Sequence, residues 1–237
     1  MNETDTSRRI VYQKKTEDGY IRIRHEKWEG EDALILFVNG SAESGMYADP
    51  KKSSDFLFPY MEKFSYAPAV RMNLQNTYLI GGGGFAYAKY YLNRYPGKRI
   101  TAAEYSEPII RLARRYFDLN KLERNPDFHL VAGDGLVWLS ESNEMFDLII
   151  NDAFEGHDAQ GRDMETVQMI HSHLSPEGIY MVNVISAANG PMAMEKRRMH
   201  RLLASVFPYV KMIRTAEDCS PLSKENLVFA ASDAELL

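Results

Sequence analysis

The chain has 237 residues and a single cysteine, Cys219, so no intrachain disulfide can form and a reducing compartment is expected. Cys219 lies in the polar stretch Glu217-Asp218-Cys219-Ser220-Pro221 with no histidine nearby, and it reads as an incidental loop thiol. No apolar run approaches the roughly 20 residues a membrane-spanning helix requires. Met1 to Arg9 is polar and lacks the apolar centre of a secretory leader. A cytoplasmic protein without a membrane partner is therefore expected. There is no basic excess either: 28 Lys and Arg stand against 33 Asp and Glu, a net charge of −5, which argues against nucleic acid as a partner. Histidine is scarce, and His171 and His173 stand two apart on a predicted helix, where they face different ways. No metal site is expected. Internal repeats and low-complexity tracts are absent.

What is present is an ordinary globular composition, 45% hydrophobic and 26% charged, on a chain long enough to bury a core without staples. Three short strands open it: Arg9 to Gln13, Tyr20 to Arg24 after the turn at Asp18-Gly19, and Ala33 to Val38, closed by Asn39-Gly40. They predict a small antiparallel sheet that must lean on the rest of the chain. A polar, turn-rich stretch is expected from Ser41 to Ser54, then an aromatic-rich helix from Asp55 to about Tyr66.

From Thr77 onward short apolar runs alternate with helical patterns, as in a parallel sheet covered on both faces. The predicted strands are Thr77 to Ile80, Arg99 to Ala103, Phe128 to Val131, Phe146 to Ile150 and Ile179 to Ile185. Ser106 can cap a helix with the apolar face Ile109, Ile110, Ala113, Tyr116 and Phe117. A second helix carries Met164, Val167, Ile170, His171 and Leu174 and is stopped by Ser175-Pro176-Glu177-Gly178. A closing helix spans about Ala193 to Phe207. A hairpin of Tyr209 to Arg214 with Asn226 to Ala231 completes the order of a Rossmann-like adenosylmethionine-dependent transferase fold, class α/β. The expected division is 1–52, an N-terminal β-strand domain, and 53–237, a nucleotide-binding transferase domain.

The candidate site gathers at the strand ends. The first core strand runs into Gly81-Gly82-Gly83-Gly84, where a glycine cluster lets the backbone and helix N–H groups approach a ligand. The second ends at Glu104, 23 positions after Gly81, placed to accept hydrogen bonds from both ribose hydroxyls of a nucleoside. The third leads to Gly133-Asp134-Gly135, whose acid can reach an adenine amino group; the fourth leads to Asn151-Asp152-Ala153-Phe154-Glu155-Gly156. Carboxylates facing one crevice suit a cationic sulfonium ligand. Tyr47, Tyr60 and Tyr87 are further candidates for its lining.

These residues resemble those of the spermidine synthase (polyamine aminopropyltransferase) family. The resemblance rests on Tyr12-Gln13, Asn39-Gly40, Tyr78-Leu79-Ile80-Gly81-Gly82-Gly83, Ala103-Glu104, Gly133-Asp134 and Phe146 through Asp152, and it covers most of the chain. It implies decarboxylated adenosylmethionine as donor, a polyamine as the small-molecule amine acceptor, and a homodimer. By that resemblance Glu104 holds the ribose, Asp134 the adenine and Asp152 the sulfonium and aminopropyl end, while Gln13 lines the site from the N-terminal sheet. The pattern departs on the acceptor side. Gly84 stands where the family has an aspartate after three glycines, Phe58-Pro59-Tyr60 replaces a Tyr-His-Glu stretch, and Glu155 replaces the aspartate that serves as general base. Glu155 remains the candidate base. The loss of a carboxylate at position 84 weakens discrimination against intact adenosylmethionine. Two other functions therefore stay open: an adenosylmethionine-dependent methyltransferase, and a catalytically idle nucleoside-binding protein.

Overall fold

The computed structural model describes residues 8–153, 162–216 and 218–236. Four antiparallel strands, β1 (Arg9–Thr16), β2 (Gly19–Trp28), β3 (Glu31–Val38) and β4 (Ser41–Tyr47), form the first sheet in sequential order. The β3–β4 turn places Asn39 at φ 50° and Gly40 at φ 93°, the pair of left-handed residues whose twist matches a two-residue hairpin. That turn corrects the expectation for Ser41 to Ser54: its first seven residues are a strand. Ser, Glu and Gly have little intrinsic strand preference, and pairing such as Leu34 with Met46 and Ala33 with Tyr47 overrides it.

The aromatic segment also lies later than expected, and only its last part is α-helical. It is a 3-10 turn over Pro59–Ser65 that passes into α1 (Tyr66–Val70). Pro68 lacks an N–H and is tolerated only in a first helical turn, so the α-helix begins just before it.

The second sheet has seven strands: β5 (Asn76–Ile80), β6 (Arg99–Glu104), β7 (Phe128–Ala132), β8 (Phe146–Asn151), β9 (Leu174–Ala187), β10 (Tyr209–Arg214) and β11 (Lys224–Ser232). Their spatial order is β10-β11-β9-β8-β5-β6-β7. The first five pair in parallel, while β11 runs antiparallel to β9 and to β10, which is the predicted hairpin. The crossovers carry α2 (Ala86–Arg94), α3 (Glu107–Tyr116), the single turn α4 (Leu119–Leu122), α5 (Gly135–Glu141), α6 (Met164–Ser172) and α7 (Met194–Ala204). Ser106 caps α3 as expected, its hydroxyl accepting from Ile109 N at 3.2 Å. One boundary differs: the Ser175 to Gly178 stop lies within β9, because Leu174 already pairs with Phe146.

Two apolar layers sandwich this sheet, and the first sheet shares one of them. Ile21, Ile23, Leu36 and Met46 pack in the same core as Phe85, Tyr91, Ile110 and Phe117. At about 25 cal/mol per Å² of apolar surface removed from water, this common core is what holds the small sheet over the ends of the larger one. Chain order reverses between β5 and β8, so the crevice at their carboxyl ends is the topological switch point where ligands bind in such folds.

Candidate active site

Strand register brings the candidate residues to one level. Ile80 pairs with both Ala103 and Asn151, and Glu104 pairs with Ala132. The next residues of β5 and β8, Gly81 and Asp152, therefore flank the switch point. Gly81 has φ +93°, and a Cβ built on it would stand 2.8 Å from Ala153 N and 2.9 Å from the Asp152 carbonyl carbon. Only glycine lets the two strand ends approach this closely. Gly83, at φ +51°, continues the loop, and Gly82 lies against the Phe85 ring.

Glu104 is buried at the end of β6, and both of its oxygens already hold backbone donors. Gly83 N donates to Oε2 at 2.7 Å and Ser106 N to Oε1 at 2.9 Å. Burial pushes its pKa up, while the N–H groups of Ser106, Gly83 and Gly82 oppose the rise. A carboxylate offers about four lone-pair sites, so the group keeps capacity to accept from a ribose hydroxyl. Asp134 caps α5 through Oδ1, accepting from Leu136 N at 2.8 Å and Val137 N at 3.2 Å, and its side chain is exposed. Gly135 is buried beneath it, packed on Tyr78, Ile80 and Ala103, with Tyr78 Oη donating to its carbonyl at 2.7 Å.

Asp152 is held from two sides. Tyr60 Oη donates to Oδ2 at 2.9 Å, and Asn183 Nδ2 donates to Oδ1 at 3.0 Å. Burial raises this carboxyl to about 7, against the opposing hydrogen bonds of Asn183 and Tyr60. Tyr60 itself is pushed well above the ordinary phenol range by burial and by Asp152 beside it. Of the three tyrosines considered from sequence, Tyr60 is bonded to a site carboxylate. Tyr87 is buried, its hydroxyl without a partner among the described residues, and Tyr47 lies near Lys52.

Three other residues were not foreseen. Asn183 sits on β9 beside Asp152; a lone amide within Tyr180-Met181-Val182-Asn183-Val184-Ile185 was its only signal. Asp18, in the β1–β2 turn, accepts from Ser106 Oγ at 2.6 Å, next to Glu104. Glu43, on β4, is partly buried; burial and the charge of Glu104 raise it to about 7. Nothing in the polar context of Glu43 announced it. Gln13 lies on the exposed face of β1, its Oε1 accepting from Tyr20 Oη at 2.9 Å, so Asp18 rather than Gln13 is the hairpin residue bonded beside the crevice. Glu155 falls outside the described residues. Among the described residues, no group of three or more His, Cys, Asp or Glu is arranged to hold a metal ion. No described helix is long and apolar enough to cross a membrane.

A strand–glycine–helix crevice lined by carboxylates is common to many nucleoside-binding enzymes, and comparison with known proteins narrows it. Residues 57–228 match the model of the spermine/spermidine synthase domain. The chain belongs to the spermine/spermidine synthase family. Within it, the chain is 26% identical over 200 residues to a probable polyamine aminopropyl transferase of Bifidobacterium longum, covering 84% of this chain and 42% of that protein. The chain spans less than half the length of the first curated relatives it matches. The fold superposes on a probable spermidine synthase from Corynebacterium glutamicum with a TM-score of 0.81 at 20% identity, over 97% of this chain and 82% of that one. It also superposes on human methyltransferase-like protein 13, solved with SAH, with a TM-score of 0.62 at 16% identity, over 73% and 82% of the two chains. The Rossmann-like architecture is thus shared by spermidine synthases and a methyltransferase-like protein.

Proposed function

We propose that this chain transfers an aminopropyl group from decarboxylated adenosylmethionine to a small amine acceptor. The observation that carries the reading is the convergence of Glu43, Glu104 and Asp152 on one crevice. Among the described residues none of the three pairs with a lysine or arginine. Carboxyls that burial pushes up are groups that a bound cation would draw into the ionised form. The donor, with its sulfonium and its free ammonium, is such a cation. Glu104 would take the ribose hydroxyls, Asp134 the adenine amino group through its free oxygen, and Asp152 the sulfonium and aminopropyl end.

The chemistry asks two things of the chain. The acceptor must lose a proton, because an alkylammonium with pKa ~10.4 is neutral in about one molecule in a few thousand at pH 7. Its nitrogen lone pair then attacks the methylene carbon beside sulfur; the C–S bond breaks toward sulfur, and neutral methylthioadenosine leaves. The proton passes to a carboxylate, for which Glu155 is the proposed base. Tyr60 and Asn183 fix the Asp152 carboxylate on both oxygens, and such positioning is what aligns the carbon for attack. Assembly as a homodimer in the cytoplasm belongs to the same proposal.

Methyl transfer from intact adenosylmethionine is the second reading. It is favoured by Gly84, which puts no carboxylate at the end of the glycine loop to repel the carboxylate of that donor. Calorimetric titration with adenosylmethionine, its decarboxylated form and methylthioadenosine separates the two. Preference for the decarboxylated donor is expected; equal or tighter binding of the intact form would overturn aminopropyl transfer.

A further inference from the structure

The pairing of β3 with β4 slips by one residue beside the crevice. Leu36 pairs with Ser44 and Phe37 with Ala42, which leaves Glu43 as the extra residue of a β-bulge. A bulge re-aims the side chain it carries, and such irregularities concentrate next to binding sites. Here the strand crosses directly over the glycine loop: a Cβ on Gly83 would lie 3.9 Å from the Glu43 carbonyl oxygen and 3.4 Å from Ser44 Cβ. At Gly84 the approach is tighter, with Ser44 Oγ 2.6 Å from where a Cβ would stand. Ser44 is buried, and its hydroxyl has no partner among the described residues. The space a side chain at position 84 would need is therefore taken by the strand, and the neighbouring residue of that strand brings a carboxylate. Its charge is felt by Asp152 and Tyr60, and Glu104 acts on it in turn.

We propose that Glu43 is the residue that selects a donor bearing only a primary ammonium over one that also carries an α-carboxylate. The inference rests on the aminopropyl reading and deepens it. An ionised Glu43, facing the same crevice as Glu104 and Asp152, attracts the ammonium of the decarboxylated donor and repels the carboxylate of adenosylmethionine. The bulge explains why Gly84 is permitted: the charge enters from the N-terminal sheet instead of the loop.

The test is the ratio of affinities for decarboxylated and intact adenosylmethionine, measured by calorimetry at about pH 7.5, where a carboxyl of pKa near 7 is mostly ionised. Glu43→Gln is expected to reduce that ratio by about tenfold or more, the scale of one charge-assisted hydrogen bond. Methylthioadenosine carries neither charge, and its affinity is expected to stay within about twofold, well below that scale. A ratio unchanged in Glu43→Gln overturns the assignment while leaving the aminopropyl reading intact. Loss of methylthioadenosine binding in the variant also overturns it, by showing that Glu43 shapes the pocket and does not read the ammonium. Wild-type protein that binds the intact donor at least as tightly contradicts both this inference and the reading beneath it.

Discussion

Tyr60 and Asp152, 92 positions apart in sequence, are joined by a 2.9 Å hydrogen bond from phenol to carboxylate. The bond ties the segment between the two sheets to the end of β8 and favours the ionised carboxylate, but burial outweighs it and makes ionisation of Asp152 costly. Asp152 and Glu43 both hold protons in the folded chain at pH values where the unfolded chain has released them. Their contribution to stability is therefore complete below the ordinary carboxyl range and is lost as the pH rises to about 7. For Asp152 alone the loss is on the order of a few kcal/mol. Denaturation of the ligand-free protein across this window should show wild type losing stability relative to Asp152→Asn as the pH rises. Parallel curves for the two proteins would contradict the assignment. Cation binding has the opposite sign and should tighten over the same window.

Glu104→Ala should abolish measurable methylthioadenosine binding. The carboxylate is the expected acceptor for two ribose hydroxyls, with bonds to a charged group contributing roughly 1.5–3 kcal/mol each. It also receives Gly83 N and Ser106 N, so the substitution loosens the loop as well. Calorimetry in which the variant retained wild-type affinity would remove the nucleoside from this crevice.

Gly81→Ala tests the close approach of β5 to β8. The new methyl would meet backbone, which cannot swing aside, from a φ of +93°. A loss of about 1–3 kcal/mol is expected in chemical denaturation, with donor affinity falling in parallel. A variant as stable as wild type would mean that the glycine is dispensable there.

Glu155→Gln should leave donor binding intact and slow transfer, since the amide keeps the shape of the side chain and cannot take the proton. Unchanged single-turnover rates with the acceptor would exclude Glu155 as the base.

Much of this architecture is legible in the sequence because buried parallel strands have no polar face to disguise them. Thr77 to Ile80 ending in four glycines, and Phe146 to Ile150 ending in Asn151-Asp152, show both the strands and the level at which they stop. The N-terminal contribution was harder to see. β4 is polar and bulged, so neither its strand nor Glu43 stands out, and its pairing is imposed by β3 and by the core beneath. Tyr60 was one tyrosine among 14, and only the path of the 3-10 segment turns it toward Asp152. Gln13 and Asp18 are five residues apart on one hairpin, and which of them is bonded beside the crevice depends on how that sheet is docked.

The central claim is the bond that breaks in the donor. The direct measurement is mass-spectrometric identification of the nucleoside released when the protein is incubated with both donors and a panel of small amines. Methylthioadenosine, appearing together with an amine heavier by one aminopropyl group, is the predicted result. Adenosylhomocysteine with a methylated acceptor would contradict it and assign the crevice to methyl transfer.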